Sequence, residues 1–256
     1  MSHPVPFDLD PELLHGKVVA ITGGLRGLGA GMAARFGELG MHVAVGGRSV
    51  IHVPDSVEEG LGAHLDVTEP ESIEQFANLT EGELGPINLW VNNAGVLDPM
   101  GRARDADPDE VARALAVNVG GVVNGSAVFA RRAGRWAPAR RVLVNISSGA
   151  STSIYEGWSV YGATKAAVDH FTEILDVEEP DLACFAVAPG VVDTDMQAQI
   201  RTHDESTFPA IERFRQLHET GAWNSPAWVA DHLAGLLTGA LAPGQVVYRV
   251  PDEPRS

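Results

Sequence analysis

The sequence predicts an α/β fold built on a single doubly wound parallel sheet of about seven strands flanked by helices. Short apolar, β-branched runs alternate with longer segments of helical spacing along almost the whole chain, which is the pattern of a parallel sheet. The first apolar run ends in glycines that lead directly into a helical segment, as they do at a phosphate-binding turn. No repeat or linker interrupts this pattern, so we predict one domain over residues 1–256.

The strands are predicted from short apolar runs that stop at glycine, proline or polar residues. In chain order they cover 17–24, 41–48, 63–68, 87–95, 140–148, 182–190 and 244–250.

The helices are predicted from apolar residues at helical spacing, and they cover 26–40, 71–84, 108–132, 158–176 and 225–239. Residues 1–15, which are rich in Pro and Asp, are expected to form an arm over the surface. Residues 195–223 are polar and partly helical, and we expect them to form a substrate lid. The segment from Arg48 to Asp66 is short and carries Pro54, so the helix expected there is cut down.

Composition excludes several classes of function. A net charge of −16 argues against binding to nucleic acid or to an anionic membrane. The one cysteine, Cys184, excludes an internal disulfide and suits a reducing cytoplasm, while His203 and His218 lack the spacing of metal ligands. We find no signal peptide and no run of about 18 apolar residues. The sequence therefore predicts a cytoplasmic protein with a small-molecule ligand and no metal.

The stretch "TGGLRGLG" at 22–29 follows the first strand and opens the first helix. Gly23, Gly27 and Gly29 let the backbone turn tightly and approach a pyrophosphate, which the helix N-terminus attracts. The order of strand, glycine loop and helix is that of a Rossmann-type nucleotide site. The spacing G-x-x-x-G-x-G differs from the common fingerprint, and a glycine-rich connection that binds nothing is the alternative.

The residues after the second strand bear on the choice of cofactor. An acid there would bind a ribose hydroxyl, but the sequence has Gly46, Gly47 and then Arg48. Arg26 lies inside the phosphate loop, and two guanidiniums near one 2′-phosphate favour NADP(H) over NAD(H). Either arginine can instead be merely solvated. Asp66 ends the third strand and is a candidate partner for the adenine.

A serine, a tyrosine and a lysine follow the fifth strand. Ser148 ends that strand, and Tyr161 and Lys165 stand four residues apart on one face of the next predicted helix. Reduction of a ketone by hydride builds negative charge on oxygen, and a phenol has a pKa of about 10, too high to exchange protons easily. A neighbouring ammonium and a cationic nicotinamide lower that pKa, and reaching 7 takes about 4 kcal/mol. Asn118, on the long helix, is a candidate holder of a water that returns the proton.

The Tyr–Lys pair is a weak signal by itself, because the spacing also occurs by chance on helix surfaces. Tyr155 has Ser159 at the corresponding position and lacks a lysine partner. What favours catalysis at Tyr161 is the phosphate loop upstream and the serine at the end of the strand. The "NNAG" stretch at 92–95 should lie at the same sheet edge, where its asparagines either lock the loop or simply complete a strand.

The chain resembles the short-chain dehydrogenase/reductase family over roughly residues 17–250. "TGGLRGLG", "NNAG", Asn118, Ser148, "YGATK" and "PGVVDT" occur in the family's order. The resemblance implies a catalytic tetrad of Asn118, Ser148, Tyr161 and Lys165, with Tyr161 as general acid and Lys165 also holding the nicotinamide ribose. The residues that it implies for cofactor binding, besides Tyr161 and Lys165, are Thr22, Gly23, Leu25, Arg26, Gly27, Leu28, Gly29, Arg48, Asp66, Val67, Asn93, Ala94, Gly95, Pro189, Gly190, Val192 and Thr194.

The stretches "YEGWSVYGATKAA" and "APGVVDTDMQAQIR" are similar to the sepiapterin reductase and benzil reductase branch, which implies reduction of vicinal dicarbonyl compounds with NADPH. We expect an apolar or aromatic substrate in contact with Ser148, Trp158, Met196 and Trp223, although packing of a lid helix explains such residues equally well. The family analogy implies a homodimer or homotetramer. Two alternatives stay open: an NAD-dependent secondary alcohol dehydrogenase working oxidatively, and a nucleotide-sensing regulator without catalysis.

Overall fold

A computed structural model describes residues 7–49, 52–134, 140–204, 208–221 and 223–254. Seven parallel strands form one sheet in the order β3-β2-β1-β4-β5-β6-β7. This confirms the predicted doubly wound sheet, whose strand order reverses between β1 and β4. The strands are β1 (Val18–Thr22), β2 (His42–Gly47), β3 (Gly60–His64), β4 (Ile87–Asn92), β5 (Val142–Ile146), β6 (Ala183–Ala188) and β7 (Val247–Arg249).

Helices cover both faces of the sheet, which explains why β1, β4 and β5 are buried along their whole length. One face packs against the first and last helices, and the other against three helices from the middle of the chain. The helices are α1 (Gly27–Glu38), α2 (Pro70–Leu84), α3 (Pro108–Leu115), α4 (Gly121–Ala133), α5 (Ser159–Glu178), α6 (Asp195–Arg201), α7 (Ile211–Thr220) and α8 (Pro226–Thr238).

The third strand lies earlier than predicted, over 60–64 rather than 63–68, so Asp66 follows the strand instead of ending it. The glycines that hid this strand in the sequence are required by packing. A Cβ on Gly60 would lie 2.6 Å from Val53 and 2.7 Å from Val57, which belong to the connection from β2. That connection is not helical over the described residues 52–59, as its shortness predicts, and it packs tightly on Gly37 of α1.

Part of the predicted arm belongs to the packed fold. Leu14 is fully buried in the core, behind a short 3₁₀ turn at Pro11–Leu13. The ring of Phe7 stands edge-on against His232 of α8, with 5.4 Å between centroids. Residues 1–6 of the arm lie outside the described residues.

The helix predicted over 108–132 runs from 108 to 133, and one of its turns holds one residue more than a regular α-helical turn. Between α3 and α4 the backbone makes a π-helical turn, Ala116–Gly120, which joins the two helices without a break. The continuous helix is long and apolar enough to cross a bilayer, with a mean hydropathy of 1.3. It packs against α2, α5 and the sheet, as a core helix does, and length with composition is weak evidence for a membrane span.

A network of neutral polar side chains is buried between the sheet and helices α4 and α5. Trp90 Nε1 donates to Asn92 Oδ1 at 2.8 Å, and Asn92 Nδ2 donates to Asn145 Oδ1 at 2.8 Å and to Ser126 Oγ at 3.1 Å. Asn145 Nδ2 donates to Thr172 Oγ1 at 2.9 Å. The network ties β4 to β5 directly behind the sheet edge where the strands end, and it is fully hydrogen-bonded where burial would otherwise be costly.

Candidate active site

A cavity of about 910 Å³ runs along the carboxyl edge of the sheet, where doubly wound folds bind ligands. It brings together the phosphate loop, Ser148, Tyr161 and Lys165, which come from distant parts of the chain. Of the residues predicted to contact the cofactor, Thr22 alone does not line it. Those that do are Gly23, Leu25, Arg26, Gly27, Leu28, Gly29, Arg48, Asp66, Val67, Asn93, Ala94, Gly95, Tyr161, Lys165, Pro189, Gly190, Val192 and Thr194.

The phosphate loop is shaped by close backbone contacts. Gly23 has φ 64°, and a Cβ there would lie 2.8 Å from Ala94 Cα. A Cβ on Gly29 would overlap the Gly23 carbonyl oxygen, so only glycine fits. Helix α1 begins at the cavity with no side chain capping its first N–H groups, which leaves them available to an anion. The loop therefore fits a pyrophosphate.

Asn93 locks the phosphate loop to the end of β4. Its Nδ2 donates to the carbonyl oxygens of Thr22 at 3.1 Å and Gly23 at 3.0 Å. In return, Thr22 Oγ1 accepts from the backbone N–H of Asn93 at 3.0 Å and of Ala94 at 3.1 Å. Of the two readings of "NNAG", locking holds for Asn93, whereas Asn92 belongs to the buried network. Thr22 acts from beneath the loop rather than at the cavity wall.

Two exposed arginines line the end of the cavity formed by the phosphate loop and β2. Arg48 Nη1 lies 3.8 Å from Asp66 Oδ2, and Arg26 Nη1 lies 3.9 Å from Asp195 Oδ2. Both guanidiniums are more than half exposed, so these pairs add little stability and leave them free to bind a ligand. Asp66 Oδ1 accepts from the backbone N–H and the hydroxyl of Thr68, which lowers the pKa of Asp66 more than Arg48 does.

Ser148, Tyr161 and Lys165 form one group at the other end of the cavity, where Tyr161 and Lys165 are buried and Ser148 is partly buried. Ser148 starts a 3₁₀ turn, where its Oγ accepts from Ala150 N at 3.2 Å, and its hydroxyl is near enough to Tyr161 to affect the pKa of the phenol. Lys165 Nζ donates to the Ile146 carbonyl at 2.8 Å and lies 5.8 Å from the centre of the Tyr161 ring.

In the protein alone, burial works against the lowering of the Tyr161 pKa that we predict for the complex with a cationic nicotinamide. Burial raises the pKa of the phenol, and the nearby Ser148 hydroxyl opposes this only in part. Burial also lowers the pKa of Lys165 to about 8, against the attraction of Asp169 one turn further along α5. Desolvation of both groups depends on how deeply helix α5 packs, so it cannot be read from the spacing of Tyr161 and Lys165.

Asn118 lies behind the cavity wall rather than in it. Its Oδ1 accepts from Val96 N at 2.8 Å, and its Nδ2 donates to Val96 O at 2.8 Å and to Thr164 Oγ1 at 3.2 Å. A Cβ on Gly95 would lie 3.4 Å from Asn118 Oδ1 and 3.9 Å from Lys165 Nζ. The side chain thus holds the loop that borders Lys165, and the water that we predicted for Asn118 stays a prediction.

Trp158 and Met196 line the cavity as predicted for substrate contacts, and aromatic rings surround Trp158. Its ring stacks on Phe208 at 4.6 Å and lies 5.4 Å from Phe214. Its Nε1 is buried with no hydrogen-bond partner among the described residues.

The structure does not bring Trp223 to the cavity, so that prediction is not supported. Its ring lies 5.4 Å from His218 instead. The neighbouring Asn224 is buried and donates to the Pro189 carbonyl at 2.9 Å, and successive side chains on an extended backbone point to opposite sides. In the predicted lid, residues 205–207 and 222 lie outside the described residues.

Sequence reasoning missed several polar residues of the cavity wall. Gln199 of α6 donates to Asp98 Oδ2 at 2.6 Å, which connects the predicted lid to the loop after β4. Arg213 of α7 donates to the hydroxyl of Tyr155 at 3.0 Å. Arg249, at the end of β7, also lines the cavity. Gln199 belongs to the stretch "APGVVDTDMQAQIR" quoted above, whereas Arg213 and Arg249 lie outside the quoted stretches. For Arg249 the available signal was that β7 should pair beside β6, whose end carries "PGVVDT".

Comparison with known proteins agrees with the geometry. The family model described as short chain dehydrogenase matches residues 17–205. A benzil reductase ((S)-benzoin forming) of Bacillus subtilis is 34% identical over 90% of this chain and 97% of its own length. The crystal structure of the KRED1-Pglu enzyme is 31% identical, with a TM-score of 0.77 over 91% of this chain and 99% of that one.

A third similar protein bears on the cofactor. It is an alcohol dehydrogenase from the archaeon Thermococcus sibiricus, whose structure was determined in complex with 5-hydroxy-NADP. It is 25% identical, with a TM-score of 0.70 over 91% of this chain and 94% of that one.

Proposed function

The chain belongs to the short-chain dehydrogenase family as an NAD(P)-dependent oxidoreductase of the carbonyl reductase type, and we propose that it reduces a ketone or vicinal dicarbonyl with NADPH. The observation that carries the proposal is that one cavity contains both the phosphate loop and the side chains of Ser148 and Tyr161, with Lys165 beside them.

The residues present fit a dinucleotide. The backbone of the phosphate loop and the first turn of α1 would hold the pyrophosphate, as Gly23 and Gly29 leave no room for side chains. Arg26 and Arg48 would bind a ribose 2′-phosphate, since their acidic partners lie 3.9 Å and 3.8 Å away and β2 ends in glycine. Val192 and Thr194 would hold the carboxamide. When bound, the nicotinamide supplies the hydride.

The protein's own part in the reaction is to orient the carbonyl and deliver a proton. The Ser148 hydroxyl orients the carbonyl oxygen beside Tyr161, whose phenol gives its proton to the developing alkoxide. The phenol enters the reaction protonated, because burial raises its pKa. The ammonium of Lys165 stabilises the resulting phenolate.

Two observations favour an aromatic or dicarbonyl substrate. Trp158 and Met196 give the cavity an apolar wall next to Tyr161, and the related Bacillus protein is a benzil reductase. In this proposal the segment 195–223 is the lid over that wall and the whole chain acts as one domain.

The test is an NADPH-consumption assay over a carbonyl panel that includes 1,2-diketones, with NADH in parallel. We expect turnover of a diketone with NADPH preferred, and a shift towards NADH in Arg48→Asp. A wild-type preference for NADH would overturn the roles of Arg26 and Arg48 and favour the oxidative NAD-dependent alcohol dehydrogenase. Nucleotide binding without turnover of any carbonyl or alcohol would favour the regulator.

We also propose that the chain forms a homodimer or homotetramer in the cytoplasm. Large apolar side chains are exposed on the long helix and on α5, where Leu115, Ile174 and Val177 are 48%, 46% and 81% exposed. Sedimentation analysis would test this: a monomer at micromolar concentration would contradict it.

A further inference from the structure

Two arginines that line the cavity have no hydrogen-bond or ion-pair partner among the described residues. Among the described arginines, only Arg113 and Arg249 form neither an ion pair nor a hydrogen bond with another described residue, and both line this cavity. The chain has 34 acidic residues and only 18 lysines and arginines, so acidic partners are plentiful. An unpaired cation in a catalytic cavity under these conditions indicates a binding role.

Arg249 stands at the end of the cavity that holds Ser148. It is the last residue of β7 and pairs with Ala188 of β6. Its side chain reaches across the carboxyl end of β6 towards the segment after β5, where a Cβ built on Gly149 would lie 3.5 Å from Arg249 Nη1. Gly149 directly follows Ser148, so this guanidinium borders the place where the carbonyl is reduced.

Arg113 belongs to a different part of the cavity. It is on α3, one helical turn before Val117, and the same continuous helix packs on Val67, where Asn124 Nδ2 donates to the Val67 carbonyl at 3.3 Å. Val67 and Asp66 are at the end proposed for the adenosine. Arg249 is therefore the unpaired cation on the substrate side.

The chemistry of a guanidinium identifies the ligand class. Its planar fork of N–H groups matches a carboxylate with two parallel, charge-assisted hydrogen bonds. At a net charge of −16 the protein repels anions as a whole, so only a local cation can hold one. We propose that Arg249 binds the carboxylate of an oxo acid, a substrate whose acid group lies a few bonds from the reducible carbonyl and whose apolar remainder packs against Trp158 and Met196.

This inference rests on the proposed carbonyl reduction and names its substrate class. The experiment compares benzoylformate with its methyl ester, which has the same ketone and ring but no charge. Both are assayed with NADPH in the wild type, in Arg249→Met and in Arg249→Lys. Arg104→Met is the matched control, because Arg104 is exposed, pairs with Asp105 at 3.6 Å and does not line the cavity.

In Arg249→Met, we expect kcat/KM for benzoylformate to fall by about 10- to 100-fold, the usual range for a charge-assisted pair, while the value for the ester changes by less than about threefold. The kcat/KM of Arg249→Lys for benzoylformate should lie between those of the wild type and Arg249→Met, since lysine keeps the charge but lacks the planar fork of N–H groups. Arg104→Met should leave the ratio of the two substrates unchanged. Equal effects of Arg249→Met on acid and ester, as expected if the arginine binds a neutral second carbonyl, would overturn the proposal.

A binding measurement separates this inference from the proposed function. Turnover of the ester and of a 1,2-diketone tests carbonyl reduction itself, whatever Arg249 does. If no carbonyl is reduced, calorimetric titration of benzoate into the protein with NADP⁺ still decides. Benzoate binding that Arg249→Met weakens at least tenfold supports the carboxylate site, whereas no binding to the wild type, or equal binding to the variant, overturns it.

Discussion

Two polar clusters lie along strand β5, the residues just after it and helix α5, but they differ in how fully their groups and the atoms around them are hydrogen-bonded. The network cluster (Trp90, Asn92, Ser126, Asn145, Thr172) is neutral, and its side chains are hydrogen-bonded to one another. The reaction cluster (Ser148, Tyr161, Lys165) has two buried members and a partly buried one, Ser148, and it contains two groups with shifted pKa values. Close to it lie buried atoms without a partner among the described residues: Ser147 Oγ, Trp158 Nε1 and Asp169 Oδ1.

Burial of polar groups therefore serves two purposes within this fold. Where hydrogen bonds are complete, burial fixes the relative position of strands and helices. Where hydrogen bonds are incomplete, burial shifts the pKa values of Tyr161 and Lys165. The charged and neutral forms of such groups can then lie close in free energy, which makes proton transfer possible. Substitutions in the network should therefore cost stability, and substitutions in the reaction cluster should cost activity.

The largest effect is expected for Tyr161→Phe. Removing the phenolic proton should lower kcat by about 10³-fold, while the free energy of unfolding changes by less than about 1 kcal/mol. Single-turnover assays and thermal melts measure both, and NADPH binding should persist. A kcat within tenfold of the wild type would contradict the general-acid role.

Lys165→Met should stabilise the protein while it impairs catalysis. The folded state lowers the Lys165 pKa from 10.5 to about 8, so below pH 8 it carries the cost of a buried charge, about 3 kcal/mol. Between pH 8 and 10.5 the folded chain releases this proton while the unfolded chain retains it, and the wild type gains stability. The advantage of the variant should therefore shrink across that range in denaturant titrations.

A stability difference between Lys165→Met and the wild type that does not depend on pH would contradict this account. Thr164 also faces the interior next to Lys165 but carries no charge. Thr164→Val therefore provides the control, whose effect on stability should be the same at pH 7 and pH 10.

Asn145→Ala, in the network cluster, should lower stability and leave catalysis nearly unchanged, the opposite of Lys165→Met. It removes the hydrogen bonds of Asn145 with Asn92 Nδ2 and Thr172 Oγ1, which keep their bonds to Ser126 and Val168, at an expected cost of about 2 kcal/mol, while kcat per folded molecule changes less than threefold. Ser148→Ala is the matched control two residues after the same strand: it should lower kcat strongly and stability by less than about 1 kcal/mol. If the two variants behaved alike, the division between the clusters would fail.

The smallest effect is expected for Trp158→Phe compared with Trp90→Phe. Both replace a buried indole, but the Trp90 N–H is bonded to Asn92 at 2.8 Å, whereas the Trp158 N–H has no partner among the described residues. The Trp158 variant should therefore be more stable than the Trp90 variant by about 1 kcal/mol. Chemical denaturation of the two variants measures this difference, and the reverse order would contradict it.

The parts of the fold and site that depend on local sequence were predictable. Glycine spacing identifies the phosphate loop, and the spacing of Tyr161 and Lys165 places both on one helix face. The strands also follow from local patterns, except β3, whose Gly60 resembles a turn until its contacts with Val53 and Val57 are known.

What depends on contacts between distant segments was not predictable. The direction of the Tyr161 pKa follows from how deeply α5 packs, and the orientation of Trp223 follows from the anchoring of Asn224. The approach of Arg249 to Gly149 joins residues a hundred positions apart, and no local pattern marks it.

The number of residues in the π-helical turn at Ala116–Gly120 determines where Asn118 lies behind the cavity. A π-helical turn takes up one more residue than the α-helical turn that it replaces. Deleting one residue inside the turn would restore a regular helix and remove the wider turn that places Asn118. Asn118 would then lose its hydrogen bonds with Val96 and Thr164, although no side chain near the cavity had been replaced. In a mutational scan, this turn should tolerate conservative substitutions better than any single-codon deletion.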